Sequence, residues 1–133
     1  MANEKRITII GLAIVTLLLV IFPRLVIEHH LLISILFLLG ILMPTIIKFS
    51  RKTLSTREMV MLAVLVAIAA VARIPFAAIP SVQPTTFIVI ASAIALGPQS
   101  GLIIGVSAAL VSNMVLGQGP WTPWQMLSWG MLG

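Results

Sequence analysis

Few side chains in this sequence can ionise or exchange protons within its apolar runs. The acids are Glu4, Glu28 and Glu58, the histidines are the adjacent pair His29 and His30, and there is no cysteine. All three acids flank apolar runs rather than interrupt them, so paired-carboxylate catalysis has no candidates. Adjacent histidines point in different directions from a helix, whereas a helical metal pair needs a spacing of three or four, so His29 and His30 read as interfacial residues. No GxxxxGK[ST], HExxH or GxSxG pattern occurs. Without cysteine there are no disulfides, thiolate metal sites or thiol nucleophiles. The expectation is a protein with no catalytic residue, no metal and no cofactor.

Recognition is a different matter. Arg73 lies about four turns beyond Arg57-Glu58 in an apolar helix, which places it near a membrane interface. Snorkelling explains it there, and so does contact with a polar or anionic ligand, since charges at membrane depth are often functional. The most distinctive stretch is Gly117-Gln118-Gly119-Pro120-Trp121-Thr122-Pro123-Trp124-Gln125-Met126, with Trp129 one turn further. Three tryptophans at a bilayer boundary fit an aromatic belt. Two glycines and two prolines also restrict the backbone, and a rigid loop carrying flat aromatic faces beside Asn113, Gln118 and Gln125 can close over a ligand and satisfy its polar groups.

The elements that must position these residues are membrane helices. Of the 133 residues, 60% are hydrophobic and 8% charged, with a mean hydropathy of +1.21, far from the roughly one-quarter charged composition of soluble domains. The net charge of +5 does not point to nucleic acid, because Lys5, Arg6, Lys48, Arg51, Lys52 and Arg57 all flank apolar runs. Ile7 to Phe22 forms a first run, with no small-residue cleavage site after it, and Leu31 to Ile47 a second. The positive-inside rule puts the cluster from Lys48 to Arg57, and the N-terminus two crossings earlier, in the cytoplasm. Ser55-Thr56-Arg57-Glu58 is a capping box that opens a third helix, running to about Ile74. Pro75 to Pro84 reads as an irregular outer loop, Thr85 to Leu96 as a fourth helix, Gly97 to Ser100 as a turn, and Gly101 to Leu116 as a fifth helix. After the outer loop Gly117 to Pro123, a sixth apolar run, Trp124 to Gly133, is too short to cross a bilayer. The fold class expected is all-α integral membrane, with about five transmembrane helices and the start of a sixth.

Small residues suggest where helices meet. Ala63, Ala67 and Ala70 form a stripe on the third helix, and Gly101, Gly105, Ala109 and Asn113 another on the fifth. Intramolecular packing accounts for the fifth-helix stripe. On the third helix, packing and a docking surface for a partner subunit both fit.

From Ser55 onward the sequence resembles the substrate-binding S components of energy-coupling factor (ECF) vitamin transporters, most closely the cobalamin type. The resemblance rests on Arg57-Glu58 before the alanine-rich helix, Phe87-Ile88-Val89-Ile90, Gly97-Pro98-Gln99-Ser100-Gly101, Val111-Ser112-Asn113 and, above all, Gly117 to Met126. It implies a six-helix membrane bundle that binds a vitamin from outside and docks on a transmembrane T subunit carrying two ATPases. It further implies that Ala63 and Ala67 contact the T subunit, with Ala70 one turn on. The outer loops at Pro75 to Pro84 and Gly117 to Pro123 would lie over the vitamin. Arg73, Gln83, Asn113, Gln118, Trp121, Trp124 and Gln125 are then the candidate ligand contacts.

The expectation drawn is a multi-pass cell-membrane protein with residues 1–54 as a two-helix extension and 55–133 as an N-terminal piece of an S component, comprising three family helices and the opening of the fourth. Its function would be vitamin capture, with a corrinoid as first guess and with no nucleic-acid partner. The alternative is a small non-transporting polytopic membrane protein that serves as an assembly partner.

Overall fold

The computed structural model describes residues 2–50, 55–79 and 81–133, and they form six helices: α1 (Ala2–Ile21), α2 (Pro23–Ser50), α3 (Thr56–Phe76), α4 (Pro84–Leu96), α5 (Pro98–Leu116) and α6 (Thr122–Leu132). Arg51, Lys52 and Pro80 lie outside the described residues, as do the side chains of Lys5 and Lys48. By length and composition α2 (over Pro23–Ile47), α3 and α5 are apolar enough to cross a membrane. Ile9–Ile21 of α1 and Pro84–Leu96 of α4 are shorter apolar segments.

The second helix begins earlier than its apolar run suggests. Only Phe22 separates α1 from α2, because Pro23 suits the first turn of a helix, where no amide partner is needed. The backbone then leaves helical geometry at His29 (φ −122°, ψ 30°). Gly11 and Val15 of α1 share an apolar crevice with Leu36, Phe37, Gly40, Ile41 and Pro44 of α2, the pairing expected of an antiparallel hairpin.

α3 opens with the expected capping box. The Ser55 amide donates to Glu58 Oε2 at 2.7 Å and the Glu58 amide donates to Ser55 Oγ at 3.3 Å. The helix runs two residues past expectation, through Pro75 to Phe76, since a proline in the last turn removes a single helical bond. The link between α4 and α5 is also tighter than a four-residue turn. Gly97 alone makes it at φ +92°, a conformation that disfavours side chains, and Pro98 starts α5.

α5 is the centre of the molecule, buried continuously from Gly101 to Leu110. One side packs Ile104 and Ala108 against Ala69 of α3 and Val89 of α4. The other packs Leu102, Val106, Ala109 and Leu110 into a core with Met126, Leu127 and Trp129 of α6 and Leu19, Val26 and Phe37 of the hairpin. The stripe of small residues on α5 allows this closeness. A Cβ at Gly105 would stand 2.6 Å from the carbonyl carbon of Trp129, so only glycine lets α6 approach there.

Candidate functional site

Because α3, α4, α5 and α6 alternate in direction, one end of the bundle collects the last turns of α3 and α5 and the first turns of α4 and α6. Polar side chains concentrate at that end. Arg73 Nη1 donates to Ser112 Oγ at 2.8 Å and to Asn113 Oδ1 at 2.6 Å, tying α3 to α5. The Asn113 amide group donates to Gln125 Oε1 at 2.8 Å and to Thr122 Oγ1 at 3.1 Å, tying α5 to α6. Thr122 donates to Gln118 Oε1 at 2.9 Å, and Gln118 Nε2 donates to the Leu110 carbonyl at 3.3 Å, which holds the loop between α5 and α6 down on the bundle.

α4 joins through aromatic chemistry. Arg73 stacks over the Trp129 ring at 5.1 Å from its centroid, a cation–π distance. Trp129 Nε1 in turn donates to Thr86 Oγ1 at 3.2 Å, and Thr86 donates to Gln83 Oε1 at 3.3 Å. Beneath this layer Thr85 donates to the Ala69 carbonyl at 2.8 Å. Asn113 and Thr122 are almost wholly buried, and no buried side-chain polar atom among the described residues lacks a partner. In lipid such satisfaction matters, because no water waits to replace a missing bond. The result is a polar floor that joins four helices, with Gln83 at one edge and Gln118 at the other.

Two of the sequence candidates stand apart from that floor. Trp121 is 53% exposed and folds its ring over the Cα of Gly119, leaving no room for a side chain there. Trp124 is 38% exposed at the start of α6. These two flat surfaces and the half-buried guanidinium of Arg73 line the accessible part of the same end.

The family model for the substrate-specific component of ECF transporters matches residues 57–133. The chain belongs to that family. Neither a curated protein nor a solved structure matches it. As an S component it is a membrane protein of a transport system, with a substrate to bind and T and ATPase subunits to join. The matched segment takes in the whole polar floor and all three tryptophans.

On the S component's third helix the structure divides the alanine stripe. Ala63 and Ala67 are exposed, whereas Ala70 is buried and has no surface to offer a partner. The reason is helical geometry: the inward face runs through Leu62, Val66, Ala69 and Arg73, spaced four, three and four apart. Ala70 sits at the edge of that face and Ala63 and Ala67 lie beyond it. The same spacing carries Arg73 inward toward α5, so interfacial snorkelling does not describe its surroundings.

Sequence reasoning did not assign roles to Thr122, Ser112 or Thr86. Thr122 lies inside the distinctive loop block and Ser112 beside Asn113, so their positions carried a signal, whereas Thr86 could be found only once Trp129 was placed against it.

Proposed function

We propose that this S component captures a vitamin, a corrinoid being the first candidate, at the end of the bundle formed by the polar floor and the Gly117–Trp121 loop. The observation that carries the reading is the convergence of Arg73 of α3, Asn113 of α5, Gln118 of the following loop and Gln125 of α6 onto one connected layer beside two exposed tryptophans. Ligand sites in membrane bundles combine a few fixed polar groups with aromatic and apolar walls in this manner. Trp121 and Trp124 supply stacking faces for a flat ligand, and Gln83, Gln118 and Gln125 supply amides within reach of its polar substituents. The N-terminus is cytoplasmic, so this end faces outside and receives the vitamin there.

Delivery then requires the T subunit and the two ATPases. The exposed Ala63 and Ala67 form the docking stripe, smooth enough for a partner helix to approach closely. The S component topples within the complex, turning the ligand-bearing end inward, and ATP hydrolysis by the partner subunits resets it.

Equilibrium binding of cobalamin and a panel of other vitamins to the purified protein in nanodiscs tests the proposal. A vitamin bound well below millimolar concentration is the expected result. No panel member binding better than millimolar would favour the rival, a non-transporting assembly partner whose tryptophans serve only as anchors.

A further inference from the structure

Among the described residues, Arg73 has hydrogen bonds but no counter-charge. Nη1 bonds two neutral oxygens, Ser112 Oγ and Asn113 Oδ1, and the ring of Trp129 offers only a quadrupole. The sequence has three acids and no more. Glu58 is four turns away at the opposite end of α3 and engaged with Ser55. Glu28 is exposed in the hairpin bend, and Glu4 lies in the first turn of α1. Among the described side chains, neither Glu28 nor Glu58 pairs with Arg73, and the side chain of Glu4 lies outside them.

A guanidinium carries five N–H donors in a planar fork shaped for two oxygens of a carboxylate or phosphate. With Nη1 turned toward α5, the Nε and Nη2 edge is the one that suits such a bidentate partner. Half-burial between α3 and α6 raises the electrostatic value of that partner above what it has in water, while leaving the group accessible. Asn113 and Trp129 hold the fork in place, so little ordering is needed when an anion arrives.

We infer that Arg73 is the anion receptor of the site, and that the ligand presents a carboxylate or phosphate to it. This inference rests on the proposed vitamin-binding reading and narrows it. Among corrinoids it selects those with the nucleotide phosphodiester over those without, and among smaller vitamins it selects carboxylates over neutral or cationic ones. An anionic lipid headgroup has the same chemistry, but the fork's attachment to the ligand-facing floor favours the soluble ligand.

The test is equilibrium binding in zwitterionic phosphatidylcholine nanodiscs, comparing cobalamin with cobinamide, which lacks the phosphodiester, and pantothenate and biotin with riboflavin and thiamine. Wild type is expected to bind the anion-bearing member of its preferred class about 10- to 100-fold more tightly, the range of one charge-assisted contact. Arg73→Gln should bring the cobalamin-to-cobinamide affinity ratio down toward one, and Arg73→Lys should restore part of the preference. Equal binding of cobalamin and cobinamide by wild type, or a neutral or cationic vitamin as the best ligand, overturns the anion receptor and leaves the vitamin reading standing. Binding of no panel member overturns both. Loss of the wild-type preference when phosphatidylglycerol is added assigns the fork to the headgroup and overturns the soluble-ligand form. Should Arg73→Gln not fold, the wild-type comparison alone decides.

Discussion

The α1–α2 hairpin and the α3–α6 bundle are built from similar apolar residues but held by different means. In the hairpin, polar groups bond locally: Thr16 donates to the Leu12 carbonyl at 2.8 Å, and Ser34 donates to the His30 carbonyl at 2.7 Å. In the bundle they bond across 39 to 43 residues of sequence, as Arg73 does with Ser112 and Asn113 and Trp129 does with Thr86. Burial does not follow the same division: the most apolar window of α5 is 67% buried, but that of α3, also in the bundle, is 11% buried against 17% for α2. Lipid is as apolar as leucine, so burial of aliphatic surface cannot dictate which membrane helices meet. Close glycine contacts and interhelical hydrogen bonds can. The bundle has both, and the family match covers it and not the hairpin.

That contrast can be broken by substitution. The largest effect is expected from Asn113→Leu, which strips Arg73, Thr122 and Gln125 of a common partner. Reversible unfolding in bicelles should show a loss of about 2–4 kcal/mol, given the cost of stranding buried polar groups and the smaller measured worth of single membrane hydrogen bonds. Gly105→Ala comes next, at about 1–3 kcal/mol, because the added methyl meets the Trp129 backbone rather than a movable side-chain end. Trp129→Phe keeps an aromatic face but loses half of the indole and the Thr86 bond, so about 1–2 kcal/mol is expected in the same assay. At the bottom stands Ser34→Ala in the hairpin, within about 0.5 kcal/mol of wild type, since the His30 carbonyl lies in helical backbone that the hydroxyl only supplements. If Ser34→Ala costs as much as Asn113→Leu, the contrast between the two regions fails.

Ala63→Leu with Ala67→Leu sharpens the comparison from outside. Both residues are exposed, so stability should stay within about 0.5 kcal/mol. Co-purification with the T subunit should be abolished and vitamin binding kept. Survival of co-purification would mean that the T subunit docks elsewhere.

Helix identity and order were legible in the sequence because each bundle helix carries its own punctuation: the Ser55–Glu58 capping box, Gly97-Pro98, and Gly117 with Pro120 and Pro123. Boundaries shifted where a proline was read as a stop. Pro75 ends nothing, and Pro23, Pro84 and Pro98 begin helices rather than interrupt them. The chemistry-bearing residues at one end could be named from their types, and antiparallel order alone brings Arg73, Asn113 and Gln125 to a common level. Who bonds whom was not legible, since the pairing of Asn113 with Gln125 or of Trp129 with Thr86 depends on helix rotation. Ala70 illustrates the same limit: the stripe of Ala63, Ala67 and Ala70 looked continuous, yet the inward face of α3 passes one step around the helix and takes Ala70 with it.

The central claim is that the vitamin sits at the end of the bundle that carries the polar floor. Hydroxyl-radical footprinting of the nanodisc-embedded protein, with and without saturating ligand, tests it directly, because Trp121 and Trp124 are exposed at that end and Met131 is exposed at the other. The account predicts slower oxidation of Trp121 and Trp124 in the complex and an unchanged rate at Met131. Unprotected tryptophans in a protein that holds its vitamin, or protection confined to Met131, would contradict it.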